Sequence, residues 1–216
     1  RRCPKPSKSG IGKRSSASLT RSAARRRTRA SSRFADLPAH STAPWVSPTS
    51  SADIIHPADD GEWADFVRSY AEPSGASSAP FGRVVDVARE AGCRTVVVEH
   101  RYIDVDYRGE HAAFWSLRFE VPPPFARRVH FFEAELQESQ LHQLPDDCGY
   151  LGYSVLRPVE MGRVGRTVMA PPPRLADATL TLIDETVSLF GNDLEVRGVP
   201  FCEQDGEYLR CAHAAA

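Results

Sequence analysis

Apolar side chains recur along this chain first with a helical period and then with a strand period. Over 62–71, Trp63, Phe66, Val67 and Tyr70 fall at i, i+3, i+4 and i+7, the stripe of an amphipathic helix. Pro73 and the Ser/Gly/Ala run at 74–79 end it. A second helix is predicted over 82–91, burying Val84, Val85, Val87 and Ala88, with Gly92 placed as its C-terminal cap. From Arg94 the pattern changes: 95–99 is β-branched and reads as a strand, while 102–107 alternates less cleanly. A third helix is expected over 109–119, with Phe114, Trp115 and Leu117 inward, until Pro122, Pro123 and Pro124 stop it. Strands follow at 128–136, 150–156 and 164–169, the last two as a hairpin-like pair joined through Pro158 and Gly162. Short strands are expected at 179–183, 186–190 and 194–196, with Gly191, Asn192 and Asp193 turning between the last two. Helices first and strands afterwards point to an α+β class with a mainly antiparallel sheet.

No such period runs through 1–50, where Ile11, Leu19, Phe34, Leu37, Trp45 and Val46 are the sizeable apolar side chains. So little apolar surface does not offset chain entropy, and the segment is predicted to be a disordered tail. Its charge is one-sided. Residues 1–33 hold 12 of the 27 Lys and Arg and no acid, so 34–216 carries 15 Arg against 28 acidic residues, a net of −13 beneath the overall −1. The cluster Arg25, Arg26, Arg27 and Arg29 fits a nucleic-acid arm, a nuclear signal or a transit peptide. A plain unstructured extension fits it as well, because no apolar periodicity accompanies the charge. The acidic body argues against general nucleic-acid binding. No stretch approaches the roughly 18 apolar residues of a membrane span.

Five cysteines, Cys3, Cys93, Cys148, Cys202 and Cys211, are widely spaced without a CxxC. An odd count with no secretory leader points to free thiols in a reducing compartment, the cytoplasm. Cys93, Cys148 and Cys202 read as buried thiols. His100, Asp104, Asp106 and His111 are ligand types that suit zinc or iron. They lack an HxxxH or HExxH spacing and alternate as a solvated strand face does, so no metal or cofactor is predicted. Arg157 and Arg166, facing across the hairpin, could grip an anion bidentately, though pairing with the body's excess acid is the simpler expectation. No glycine-rich phosphate loop or Gly-x-Ser-x-Gly elbow is present.

One constellation remains, where Gln204 precedes Cys211 by seven residues and an alanine-rich run follows. A thiol attacks a carbonyl as thiolate, and the first turn of a helix favours that anion. A side-chain amide beside it can donate to the oxyanion that forms on attack. This order of residues resembles the papain-like cysteine peptidase superfamily, nearest its bacterial branch of bacteriocin-leader-processing peptidases. The blocks at 149–158 and 165–167, and Val199, Pro200 and Phe201 before Gln204 and Asp205, also resemble blocks of bacterial proteins. The resemblance implies Cys211 as nucleophile, Gln204 as oxyanion donor and a peptide or amide substrate. It divides the chain into a tail (1–50), an α+β domain (51–198) and the start of a papain-like region (199–216). The Cys-Gly-Ser-Cys-Trp signature of papain is absent. His213, at i+2 from Cys211, points off its helix face and does not serve as base. The base and its orienting partner are therefore expected beyond Ala216, the chain reading as an N-terminal fragment that is inactive alone. The rival class is a non-enzymatic sensing or interaction module, in which the 94–198 sheet binds a partner and Cys211 packs as a small hydrophobe.

Overall fold

The computed structural model describes residues 51–71 and 78–203; the predicted tail at 1–50 lies outside them. Helix α1 (Asp60–Ala71) starts where Asp59 accepts from the Glu62 N–H at 2.9 Å and Glu62 accepts from the Ala58 N–H at 2.7 Å. Its expected stripe is buried at Trp63 and Phe66 and half-buried at Val67 and Tyr70. Helix α2 (Ala79–Glu90) begins three residues before the predicted start, because Pro80 fits a first turn where its missing N–H is not needed. The extra turn buries Phe81 with Val84, Val85 and Ala88, while Val87 is half-buried. Gly92, at φ +90°, closes the helix: its N–H donates to the Arg89 carbonyl and the Cys93 N–H to the Ala88 carbonyl, both at 3.0 Å.

The sheet has seven strands, all paired antiparallel: β1 (Ala52–Ile55), β2 (Thr95–Tyr102), β3 (Ala126–Phe132), β4 (Tyr150–Leu156), β5 (Val164–Met169), β6 (Ile183–Leu189) and β7 (Asn192–Phe201). Their order in space is β1-β2-β3-β4-β5-β7-β6. The expected α+β class with an antiparallel sheet is thus observed. β4 and β5 lie where the sequence places them. β7 continues through 199–201, which pair with 167–169 of β5, so the boundary drawn at 198 falls within a strand. Gly152 in β4, at φ +125°, packs so closely on β5 that a Cβ there would stand 2.1 Å from the Val168 carbonyl oxygen. Only glycine fits.

The sheet curls. Arg128 of β3 donates to the Ser188 carbonyl of β6, and Tyr153 of β4 donates to Glu185 of β6 at 3.0 Å. Neither β3 nor β4 neighbours β6 in the strand order, so the β6–β7 hairpin has folded back over one face. The other face holds α1 and α2, with Val96, Val98, Val129, Phe131, Leu151 and Met169 beneath them. Period two explains β3 (sequence ARRVHFF), in which every residue is buried: Arg127, Val129 and Phe131 face the helices, and Ala126, Arg128 and His130 face the hairpin.

Several expectations need correction. Helix α3 runs Val105–Ala113, not 109–119, because the Asp104 carboxylate accepts from the Tyr107 N–H at 2.7 Å and starts it early. What looked like weak alternation at 102–107 is the end of a strand followed by a capped first turn. A 3₁₀ turn covers Trp115–Leu117; Phe114 and Trp115 are half-buried there, and Leu117 is 80% exposed rather than inward. The strand expected over 128–136 ends at Phe132. The three short strands predicted after 179 are two longer ones, and 176–182 is not in the sheet. Their turn sits one residue earlier than expected, at Phe190 (φ 49°) and Gly191 (φ 88°), with Leu189 opposite Asn192. Both values are positive, matching the turn that suits the twist of a hairpin. The Asn192 side chain is engaged elsewhere, donating to the Leu141 and Leu189 carbonyls and accepting from the Leu144 N–H.

Candidate functional site

Gln204 and Cys211 lie outside the described residues. The structure does describe the residue immediately before Gln204 and how it is held. β7 ends at Phe201, and two residues later the Glu203 N–H donates to the Val164 carbonyl at 2.8 Å. The Glu203 carboxylate accepts from the Val164 N–H at 3.0 Å, and its carbonyl accepts from Arg157 Nη2 at 3.3 Å. Cys202, half-buried, lies with its sulfur 3.6 Å from that same carbonyl.

Arg157 follows β4 directly, where the turn to β5 is closed by its N–H donating to the Arg163 carbonyl at 2.8 Å. Its Nη1 stands 3.2 Å from Glu110 Oε2, and the two side chains are 0% and 1% exposed. Glu110 is carried inward by α3 on the same face as Tyr107, three residues back. Its other oxygen accepts from Trp115 Nε1 at 2.6 Å. One planar guanidinium therefore joins α3, the β4–β5 turn and the end of β7.

A second polar cluster lies beneath the folded-back hairpin. Arg128 Nε and Nη2 both lie 2.9 Å from Glu99 Oε2, and the guanidinium stacks over the Tyr102 ring with its carbon 4.1 Å from the centroid. His130 shares a 2.9 Å hydrogen bond through Nδ1 with the Tyr150 hydroxyl. Its Nε2 faces Glu99 at 3.8 Å, too long for a hydrogen bond. Burial drives the His130 pKa down to about 4, so the ring is neutral near pH 7. Burial works to raise the Glu99 carboxyl, but contact with His130 and Arg128 outweighs it and holds the group below its ordinary value. Burial raises the hydroxyls of Tyr150 and Tyr153, and Glu185 adds to the second, which donates to it. The alternation of Arg128 and His130 in β3 was the sequence signal for this cluster, and it went unread because charged residues are ordinarily placed outside.

The other sequence candidates separate. Arg166 meets Glu185 at 2.9 Å instead of facing Arg157, so both arginines pair with acid. His100 Nε2 is 2.8 Å from Asp53, Asp104 caps α3, and His111 Nε2 lies 2.9 Å from the Pro122 carbonyl. Among the described residues, no group of three or more His, Cys, Asp and Glu could hold a metal ion. Cys93 and Cys148 are buried free thiols; burial pushes Cys93 up to about 12 and raises Cys148 as well. Such thiols are unreactive. A cleft of about 610 Å³ lies along β1, bordered by Asp53, Ile55, His56, Tyr70 and Glu138. No described helix is long and apolar enough to cross a membrane.

No family model, curated protein or solved structure matches this chain. Any assignment of function therefore rests on its own residues.

Proposed function

We propose that the chain carries the first part of a papain-like thiol-hydrolase site that acts on a peptide or amide in the cytoplasm. Cys211 is the nucleophile and Gln204 the oxyanion donor. The Cys211 thiolate adds to the carbonyl carbon, forming a C–S bond while the C=O electron pair moves onto oxygen. The Gln204 carboxamide donates a hydrogen bond to that oxyanion. Collapse of the adduct breaks the C–N bond, and the leaving amine takes the proton first removed from the thiol. Water then hydrolyses the thioester to the acid, or a second amine takes the acyl group.

The proton carrier is an imidazole. Among the described histidines, His100, His111 and His130 are each engaged in the body, His56 shares a 3.2 Å hydrogen bond with Thr95, and His142 packs on the Phe190 ring. None of these is assigned as the base.

The observation that supports this reading most is the fixed position of Glu203. A donor amide stabilises an oxyanion only if its place is set before the reaction, and Gln204 follows a residue whose N–H, carbonyl and carboxylate are all held. In the full-length protein, iodoacetamide should alkylate Cys211 at pH 6 about tenfold faster than free cysteine, the gain left after a lowered pKa trades against nucleophilicity. Cys211→Ala should abolish amide hydrolysis at unchanged melting temperature. A Cys211 rate equal to that of free cysteine sinks the proposal.

A second reading, the interaction module, draws on the apolar side chains around α3. Val105 is 81% exposed, Leu117 80% and Phe119 fully exposed. Capture of a partner that is lost in the Leu117→Ser/Phe119→Ser variant, with an unreactive Cys211, would favour it.

A further inference from the structure

We propose that β1 is the docking edge for an extended peptide whose arginine or lysine side chain enters the cleft beside Asp53. This inference stands apart from the Cys211–Gln204 reading. β1 ends the strand order, so β2 pairs with one of its sides and no described strand pairs with the other. In an antiparallel pair, the backbone groups of successive residues point alternately toward the partner and away from it. The His100 N–H donates to the Ser51 carbonyl at 3.0 Å, so in the same register Asp53 and Ile55 turn their N–H and C=O toward β2. Ile54 turns its own outward, a donor and an acceptor for one more strand.

The cleft of about 610 Å³ along β1 decides what that strand carries. Asp53, Tyr70 and Glu138 border it. The Tyr70 hydroxyl donates to Asp53 Oδ2 at 2.5 Å, and His100 Nε2 stands 2.8 Å from the same oxygen. Both contacts fall on Oδ2, which leaves Oδ1 to accept from an incoming donor on a side chain that is 39% exposed. His100 is 4% exposed, and neither of its ring nitrogens completes an aligned hydrogen bond, although one is directed at this carboxylate. The two carboxylates outnumber the one cation nearby, the Arg127 guanidinium, which is buried 5.3 Å over the Tyr70 ring. A cationic side chain complements that excess through a charge-assisted hydrogen bond. A second copy of this chain does not. Its edge strands are β1 and β6, which bring Asp53 again, or Asp184 and Glu185, and set acid against acid.

The probe is a fluorescein-labelled hexapeptide, Val-Arg-Val-Arg-Val-Thr, whose alternation puts both arginines on one face. It is titrated into the full chain by anisotropy, beside versions with Lys or Gln in place of Arg. The Arg and Lys versions should bind, and the Gln version should bind about tenfold more weakly. Asp53→Asn keeps an acceptor for Tyr70 but removes the charge, and should also cost about tenfold. Ile54→Pro removes the outward N–H while sparing the bonds of β1 to β2, and should cost about fivefold. Glu138→Gln, at an exposed position, should cost about twofold. Thermal melts check that each variant is folded. A wild type that binds none of the peptides, or binds the Arg and Gln versions equally, overturns the proposal. So does an Asp53→Asn or folded Ile54→Pro variant with wild-type affinity. Should Ile54→Pro not fold, hydrogen exchange decides: a peptide that gives the Ile54 N–H no protection rejects strand addition. Sedimentation of the protein alone covers the other occupant, since a dimer lost in Ile54→Pro would place a second copy on this edge and overturn the peptide.

Discussion

On the side of the sheet covered by α1 and α2, the buried side chains are Trp63, Phe66, Phe81, Val84, Val85 and Ala88 against Val96, Val98, Val129 and Phe131. On the side covered by α3 and the β6–β7 hairpin, Arg128, His130, Glu110 and Arg157 are buried among Tyr107, Tyr153, Val155, Val187 and Val196. The first side gains mainly from area, although the buried Arg127 guanidinium also lies there, 5.3 Å over the Tyr70 ring. Its aromatic rings meet at centroid distances of 5.2 to 6.2 Å, edge-on or tilted, and burial there pushes the Cys93 thiol up to about 12 and raises the Tyr70 hydroxyl as well. The second side is stable only while each buried polar group keeps its partner, since an ion left alone there costs several kcal/mol. The comparison shows where this fold has room for chemistry. An apolar layer anchors the sheet, and the opposite layer can accept charges that fix chain direction.

The sharpest way to test the apolar side is Phe81→Ala. Phe81 is 1% exposed and packs 5.7 Å from the Phe66 ring. Truncation should cost about 3–5 kcal/mol in urea unfolding, the lost transfer energy plus the cavity left behind. Because the cluster holds no group that titrates in between, the loss should be the same at pH 5 and pH 8. A loss that changes with pH would mean that the two sides are not energetically separate.

The polar side should respond to acid instead. His130 has a folded pKa of about 4, below an unfolded value near 6.5. Between those values the unfolded chain binds the extra proton, so stability is complete above about pH 6.5 and falls as pH drops toward 4. The loss is on the order of 3 kcal/mol. Four groups face the ring, Glu99 from β2, Arg128 from β3, and Tyr150 and Tyr153 from β4. Glu99, held below its ordinary value, adds to the same acid loss as it protonates. His130→Asn should lower stability at pH 7 and flatten the limb between pH 6.5 and 4. If the acid limbs of variant and wild type coincide, the buried imidazole is not their source.

The same contrast governs what could be read from the residues alone. α1, α2, β4 and β5 were legible because their apolar period is local, and burial on the helix side rewards that period directly. α3 was misplaced because the bulky run Phe114, Trp115 and Leu117 drew the helix forward, while one carboxylate at Asp104 starts it earlier. The bond between Arg157 and Glu110 joins residues 47 apart in sequence, and both types are ordinarily solvated, so no window contains the signal. The fold-back of β6 over β3 was hidden for a related reason, since Ser188 contributes only its carbonyl, which the sequence does not mark. For the proposed site, residue type and order were readable at Gln204 and Cys211, whereas the bonds that hold Glu203 come from Arg157 and Val164, some forty residues away.

The smallest of these effects tests how α3 brings Glu110 to the polar side. Asp104, in extended backbone at φ −77° and ψ 129°, is buried and accepts from the Tyr107 N–H at 2.7 Å. That bond satisfies one of the free N–H groups of the first turn, and the carboxylate also meets the positive end of the helix dipole. Asp104→Ala should cost about 1 kcal/mol, the usual worth of an N-cap, and Asp104→Asn should cost far less because its side-chain oxygen still caps. Asp106→Ala, two residues on and exposed, serves as the control for charge without capping and should lie within about 0.5 kcal/mol of wild type. Thermal melts of the three variants rank the contributions. Equal losses for Asp104→Ala and Asp104→Asn would place the effect in the charge rather than the cap. α3 would then be started by Tyr107, whose buried ring and hydroxyl bond to the Pro123 carbonyl at 2.8 Å anchor the same turn.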